Sequence, residues 1–266
     1  MEILQIFYKK IYNIAMRFKE FISKILNKLY IKDYRCIVCN KEIPHGSRYS
    51  MCDKCRDSLP YIKHPCGKCG GEIPSGLACT NCKSNMPVFE KNIVALNYVP
   101  PITTLIYKYK YENARYLSNP LGQILVDTYM SSGFDVDYIV PVPIHENRRK
   151  DRGYNQVELL LPSFDAINIP DYTDIVERII DTPHQTMLSR KERLTNLDGA
   201  FRVIDKSKVK GKSILILDDV YTTGATLNEL AKVLYKAKAK AVYGLVIAHG
   251  QLNIPTTELT PKDIEK

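Results

Sequence analysis

The sequence lacks cysteine after Cys82, although it contains eight cysteines in its 266 residues. It also lacks the pattern of a secretory leader, because Lys9, Lys10 and Arg17 interrupt every apolar run near the N-terminus. No stretch reaches the roughly 18–20 apolar residues that a membrane-spanning helix needs. These absences predict a cytoplasmic protein whose thiols stay reduced, and clustered reduced thiols indicate metal binding rather than disulfides.

Acidic residues are also in deficit, since 38 lysines and arginines against 29 acids give a formal net charge of +9. Such an excess favours an anionic partner, such as nucleic acid, a phosphorylated metabolite or an acidic membrane surface, although it also serves solubility alone. The composition is otherwise that of a globular protein, with 45% hydrophobic and 25% charged residues. At this length we expect two folded units.

The two ends of the chain are set apart from its middle. Residues 1–32 have apolar side chains at the i, i+3, i+4 spacing of an amphipathic helix, with lysine and arginine on the other face. This helix either packs on its own protein, the arrangement we favour, or lies on the inner face of an acidic membrane. Residues 251–266 form a polar tail.

Residues 33–86 contain four CxxC pairs. They are Cys36/Cys39, Cys52/Cys55, Cys66/Cys69 and Cys79/Cys82. Each pair places two thiolates on one edge of a tetrahedron, so four pairs predict two closed zinc sites with structural roles. Taken in chain order, the first two pairs bind one zinc and the last two bind the other, and a cross-braced pairing is chemically equivalent. A redox dithiol is the alternative for a single CxxC, but four pairs in so short a segment disfavour it.

Residues 90–250 alternate between strand-like and helix-like patterns. Strand-like runs occupy 92–99, 137–144, 175–180, 213–220 and 241–248, and helical patterns occupy 120–130 and 225–239. This alternation predicts an α/β fold with a mostly parallel sheet that helices flank on both faces.

The strand-like run 213–217 leads into a candidate ligand site. Asp218 and Asp219 come directly after it, and a turn rich in hydroxyls then enters a helix. The turn consists of Tyr221, Thr222, Thr223, Gly224, Ala225 and Thr226. Ligands of open α/β sheets bind at the carboxyl ends of strands, and a helix N-terminus attracts phosphate. The two carboxylates suit sugar hydroxyls or a bridging metal. An acidic turn before a capped helix is the alternative, but it needs fewer of these residues.

The segment ILILDDVYTTGAT at 214–226 resembles the phosphoribosyl-diphosphate motif of type I phosphoribosyltransferases. The resemblance implies a mostly parallel five-stranded sheet, with Asp218 and Asp219 on the ribose hydroxyls and residues 221–226 around the 5′-phosphate. It also implies Mg²⁺ with the diphosphate. No catalytic residue is assigned, but Asp218 and Asp219 are the candidates for a catalytic role.

Two further segments extend this resemblance. VPVPIHENRRKDRGYNQ at 140–156 occupies the place of the pyrophosphate loop, where arginine forks suit a diphosphate, although a solvated basic loop is the alternative. Its cations are Arg148, Arg149, Lys150 and Arg152. HQTMLSRKERLTNLDGAFRV at 184–203 is similar to the mobile loop. The matching residues there are Gln185, Arg190, Arg193 and Asn196.

Together with the double zinc ribbon, these motifs resemble the ComF competence family over roughly residues 35–248. The resemblance implies an accessory protein for the uptake and processing of transforming single-stranded DNA, working with a DNA-translocating helicase at the inner face of the membrane. The second interpretation is an active phosphoribosyltransferase with an unidentified nitrogenous acceptor. No segment has the pattern of a base-recognising hood, which favours the first.

The segment 105–117 interleaves tyrosines with lysines and an arginine. Aromatic rings near cations hold single strands without sequence preference. Lys108, Tyr109 and Lys110 are therefore candidate contacts for DNA. A helix with half-buried tyrosines is the alternative.

Overall fold

A computed structural model of the chain describes residues 34–73, 79–181 and 197–250. The expected N-terminal helix (1–32), the polar tail (251–266) and the mobile-loop residues lie outside the described residues. Those loop residues are Gln185, Arg190, Arg193 and Asn196. Within the described ranges, every helix falls short of the length and hydropathy that crossing a bilayer requires. The chain divides into two compact units, one ending at Cys52 and the other beginning at Asp53.

The larger unit is built on a parallel sheet that has four strands within the described residues. The strands are β1 (Lys91–Asn97), β2 (Tyr138–Pro141), β5 (Ser213–Tyr221) and β6 (Ala241–His249), in the spatial order β1-β6-β5-β2. β5 and β6 are central, and their apolar runs are buried on both faces, as is typical of parallel strands. The expected α/β class with a parallel sheet is confirmed.

Helices connect and cover these strands. They are α1 (Asp53–Asp57), α2 (Thr80–Ser84), α3 (Ile102–Tyr111), α4 (Ser118–Ser132), α5 (Glu146–Arg152), α6 (Lys206–Val209) and α7 (Ala225–Lys236). Short 3-10 segments occupy Arg48–Ser50, Arg115–Leu117 and Glu158–Ile167. In α7, Leu227, Leu230, Ala231 and Leu234 form a buried stripe at helical spacing. This stripe holds the N-terminus of α7 at the end of β5, where the candidate site lies.

The fifth strand expected for this sheet, the run 175–180, lies in a different sheet. The run 175–180 forms β3 (Val176–Arg178), which pairs antiparallel with β4 (Phe201–Val203) in a separate small sheet. Beside β2, Ile139 makes one parallel bridge to Asp171, and Ile139 N–H donates to the Pro170 carbonyl over 2.9 Å. Pro170 has no N–H with which to continue the ladder on the N-terminal side of this bridge.

Candidate functional site

The two acids of the candidate site lie at the carboxyl end of β5, and both are buried. Asp219 N–H donates to Asp218 Oδ1 over 2.8 Å, which fixes the Asp218 carboxylate against the backbone of Asp219. Burial, and then the charge of Asp219, raise the pKa of Asp218 to about 8. Such a pair requires donors or a cation close by, and the structure supplies both.

Asp219 is held by two side chains from distant parts of the chain. Lys110 Nζ lies 2.7 Å from Asp219 Oδ1, and Gln156 Nε2 donates to Asp219 Oδ2 over 2.9 Å. Burial alone would lower the pKa of Lys110, but the charge of Asp219, its hydrogen bond and the charge of Asp218 outweigh burial and raise it. The ammonium group therefore stays charged beside the acidic pair.

This arrangement corrects the expectation that Tyr109 and Lys110 contact DNA. α3 turns one helical face into the core, and Tyr109 on that face is fully buried, with its hydroxyl donating to the Gln156 carbonyl over 2.5 Å. Tyr109 therefore presents no ring face to a base, and the Lys110 ammonium group forms an ion pair with Asp219. Lys108 remains half-buried at the surface. Tyr109 thus fits the alternative of a helix with half-buried tyrosines, whereas Tyr111 is exposed.

The phosphate loop, residues 222–224, connects β5 to α7. Gly224 is the N-cap of this 12-residue helix, with a left-handed φ of 79° that favours glycine. Thr223 Oγ1 accepts a hydrogen bond from Ala225 N–H over 3.4 Å. Thr222, Thr223 and Thr226 are partly exposed and surround the helix N-terminus, where backbone N–H groups favour an anion. Tyr221 and Ala225 are buried, so their side chains support the loop from beneath.

The segment expected as a pyrophosphate loop is helical as α5. His145 caps it by accepting a hydrogen bond from Asn147 N–H, and Gly153 ends it with a φ of 78°. Without an apolar stripe, its charged sequence predicts a loop rather than a helix. The two caps and the tertiary contacts of its arginines stabilise the helix in the absence of an apolar stripe.

The three arginines of α5 face different partners. Arg152 Nη1 donates to Gln156 Oε1, and because Gln156 also donates to Asp219, this guanidinium is linked to the acidic pair through one side chain. Arg149 makes a two-point ion pair with Glu158, with Nη1 and Oε2 3.0 Å apart. Arg148 Nε lies 3.9 Å from Asp181. The structure therefore brings Arg152 to the candidate site and turns Arg149 towards Glu158.

Arg178 is a basic residue of this region that the motifs did not predict. It lies on β3, buried, with Nε donating to the Ile180 carbonyl over 3.3 Å. Burial, and then the nearby charge of Arg148, lower the pKa of Arg178 to about 10. The only available signal was a single arginine inside the apolar run IVERII at 175–180, which we interpreted as a strand alone.

The eight thiols form two four-cysteine sets in chain order, so the sulfurs are not cross-braced. They are Cys36, Cys39, Cys52 and Cys55, and Cys66, Cys69, Cys79 and Cys82. The ligand atoms of each set lie within 4.8 Å of one another, and the pairs Cys66–Cys82 and Cys69–Cys79 are 3.8 and 3.7 Å apart. Four sulfurs at about 2.3 Å from one zinc are separated by about 3.8 Å.

The charge of the second set also favours a cation. Burial and the neighbouring thiolates raise the pKa of Cys69, a repulsion that bound zinc offsets. The sets therefore fit two closed structural zinc sites, as the four CxxC pairs predict.

Comparison with known proteins agrees with both parts of this architecture. Residues 25–83 match the double zinc ribbon domain, and residues 171–253 match the phosphoribosyl transferase domain. Among solved structures, the allosteric regulatory enzyme of purine biosynthesis is similar at 17% identity with a TM-score of 0.36, covering 53% of this chain and 29% of that chain. The chain thus spans less than a third of that enzyme.

Several curated proteins are similar over most of the chain. Competence protein F of Haemophilus influenzae is 32% identical, over 81% of this chain and 98% of that protein. DNA utilization protein YhgH of Escherichia coli is 30% identical, over 78% of this chain and 93% of that protein. Competence protein ComFC of Bacillus subtilis is 25% identical, over 78% of this chain and 91% of that protein. With its double zinc ribbon and phosphoribosyltransferase-type domain, the chain belongs to the ComF family of competence proteins.

Proposed function

We propose that this protein handles single-stranded DNA during uptake of transforming DNA and binds phosphoribosyl diphosphate with Mg²⁺ in the pocket at the end of β5. One observation carries the proposal. The acidic pair Asp218–Asp219 directly precedes the turn into the phosphate loop, Lys110 pairs with Asp219, and Gln156 links Asp219 to Arg152. Acids for a ribose, a helix N-terminus for one phosphate and arginine for another are thus adjacent.

Each part of the ligand has a matching group in this pocket. The 5′-phosphate would lie at the N-terminus of α7, with the hydroxyls of the phosphate loop as donors. The ribose hydroxyls would donate to the acidic pair, and Arg152 would attract the diphosphate. Mg²⁺, when bound, neutralises diphosphate oxygens. Lys110 already neutralises one carboxylate, so an anionic ligand meets little repulsion from the floor of the pocket.

The pocket is tested by calorimetric titration of phosphoribosyl diphosphate with Mg²⁺. Asp219→Asn should raise the dissociation constant about tenfold or more, because a charged acceptor for the ribose is lost. Asp137→Asn is the matched control: Asp137 also pairs with a lysine, Lys212, at 2.9 Å, but beside Ser213 at the opposite end of β5. Equal affinities of the two variants, or no binding by the wild type, would contradict the proposal.

The exposed part of the segment 105–117 supports the DNA half of the proposal. Tyr111 and Tyr116 are 50% and 67% exposed, and the rings of Tyr107 and Tyr111 lie 5.2 Å apart. Lys108 on the same helix and Arg115 beside Tyr116 supply positive charge. We therefore place the strand on Tyr111 and Tyr116 rather than on the buried Tyr109.

Fluorescence anisotropy with a labelled oligothymidylate tests this surface. Tyr111→Ala with Tyr116→Ala should weaken binding about thirtyfold or more, since each of the two stacked bases contributes about 1–3 kcal/mol. Tyr61→Ala, which removes another exposed tyrosine (42%), should leave affinity unchanged. Affinity should also fall as salt rises, because phosphate contacts release counterions. Binding that is independent of salt, or equal in all variants, would contradict a strand on this surface.

We further propose a DNA-translocating helicase as a partner, on the basis of the family's competence role. Cross-linking in competent cells tests this partnership, and failure to recover such a helicase with the tagged chain would count against it.

The second candidate function, an active phosphoribosyltransferase, is favoured by the presence of both acids and all the loop hydroxyls in one pocket. Pyrophosphate release from phosphoribosyl diphosphate in the presence of ammonia or nucleobases tests it. Turnover by the wild type but not by Asp219→Asn would support this function, and no turnover with any acceptor would exclude it for those acceptors.

A further inference from the structure

The zinc-binding turn of the second ribbon, residues 66–71, is hydrogen-bonded to the edge strand of the parallel sheet. Asn92 of β1 holds it at two points: its backbone N–H donates to the Lys68 carbonyl over 2.8 Å, and its Nδ2 donates to the Cys69 carbonyl over 3.0 Å. Gly70 packs so closely that a Cβ there would lie 2.5 Å from the Asn92 carbonyl oxygen. The turn therefore has little freedom to move relative to the sheet.

His249, the last residue of β6, connects this turn to the candidate site. Its imidazole is 2% exposed and lies against Gly71, where an added Cβ would meet three ring atoms at 2.6–3.0 Å. The same ring stacks on Tyr221, with centroids 4.8 Å apart and planes 23° apart. Neither imidazole nitrogen has a hydrogen-bond partner among the described residues.

Tyr221 continues the row of contacts into the phosphate loop. Its hydroxyl lies beneath Gly224, where an added Cβ would be 2.1 Å from the hydroxyl oxygen. Gly250 N–H fixes the Tyr221 backbone by donating to its carbonyl over 2.8 Å. Gly71, His249, Tyr221 and Gly224 thus form a continuous row from the zinc turn to the N-cap of α7. At both ends of the row the absent Cβ of a glycine allows the close contact.

Thiols of the second set belong to the same buried core as the two residues that flank the phosphate loop. Cys66, Cys69 and Cys82 lie in the apolar cluster that contains Tyr221 and Ala225. Among the described residues of this cluster, no cysteine of the first set is present. The two zinc sites therefore differ in their relation to the pocket, although their ligands are of the same kind.

We infer that the second zinc ribbon positions the phosphate loop: its turn at 66–71 sets the place of the loop through His249 and Tyr221, which act as positioning residues. The inference rests on the proposed function, because it concerns affinity for the phosphoribosyl ligand. Zinc in the second set keeps the turn in the shape that seats the His249 ring. A displaced ring would shift Tyr221 and, with it, the helix N-terminus that receives the phosphate.

Two glycines of the same turn give a matched pair of variants. In Gly71→Ala the new methyl group strikes the His249 ring, whereas in Gly67→Ala it meets nothing within 4 Å, and neither glycine has a left-handed φ. Both variants should retain two zincs by metal analysis. Gly71→Ala should raise the dissociation constant for phosphoribosyl diphosphate with Mg²⁺ about tenfold, as expected for an overpacked contact, and Gly67→Ala should leave it within about twofold.

A double-mutant cycle tests the route through His249. His249→Ala removes the ring that the new methyl group strikes, so adding Gly71→Ala in that background should cause no further loss of affinity. The comparison of His249→Ala with the double variant also tests the route through His249 if Gly71→Ala alone fails to retain zinc. Wild-type binding with equal affinities of Gly71→Ala and Gly67→Ala would overturn the inference and leave the proposed function intact. A Gly71→Ala loss that persists without the ring would also overturn it, whereas no binding by the wild type would overturn the proposed function itself.

Discussion

Lys110 sets the charge of the acidic pair. With the pKa of Asp218 raised to about 8 and Lys110 charged beside Asp219, the net charge of these three side chains is about zero near neutral pH. A pocket floor of two ionised acids would repel a diphosphate, whereas a neutral floor does not. Release of the Asp218 proton when Mg²⁺ or ribose hydroxyls arrive would then strengthen the interaction with the ligand.

The raised pKa of Asp218 predicts a distinctive dependence of stability on pH. Between the ordinary value of 3.8 and about 8, the folded protein holds this proton and the unfolded chain releases it, so stability from this group falls as pH rises through that range. Asp218→Asn abolishes the effect. In urea unfolding with zinc present, the free energy of unfolding of the variant should therefore gain about 3 kcal/mol on that of the wild type between pH 5.5 and pH 8.5. Parallel profiles would show that the carboxyl group titrates normally.

At the residue scale, sequence predicts groups that are close along the chain and misses those that folding brings together. Asp218, Asp219 and the loop threonines lie within nine positions, so their spacing indicates their common role. Lys110 and Gln156 lie 109 and 63 positions from Asp219, and no periodicity relates them to it. A lysine in a helix beside tyrosines has the same local pattern whether it faces DNA or a buried carboxylate.

At the element scale, burial pattern decides what sequence can predict. β5 and α7 were predictable because a run of apolar residues on both faces of a strand and a 3.6-residue stripe are strong signals. α5 was not, because its residues Glu146–Arg152 include none that is buried. The expected fifth strand, 175–180, does form a strand, but it pairs antiparallel with β4 instead of joining the main sheet, and an apolar run does not determine its partner.

At the scale of the whole molecule, the second ribbon lies in the same compact unit as the sheet, because the division of the chain falls between Cys52 and Asp53. Its thiols share a core with Tyr221 and Ala225, which flank the phosphate loop. Four CxxC pairs at similar spacing do not distinguish one zinc site from the other. The difference arises from the packing of residues 66–71 on Asn92 and His249, which is a tertiary contact.

This difference predicts unequal effects when each zinc is removed. The wild type should contain about two zincs per chain, and either double substitution, Cys36→Ser with Cys39→Ser or Cys79→Ser with Cys82→Ser, should reduce this to about one.

Because bound structural zinc contributes directly to folding free energy, loss of the second site should lower the main thermal transition by several degrees, at about 2–4 °C per kcal/mol for a unit of this size. Loss of the first site, whose thiols lie outside the core cluster within the described residues, should leave that transition nearly unchanged. Metal analysis and calorimetry measure both quantities on the same samples. Equal lowering by the two substitutions would mean that the sheet depends on both sites alike, and a metal content near zero in wild-type protein purified without chelator would contradict the zinc assignment itself.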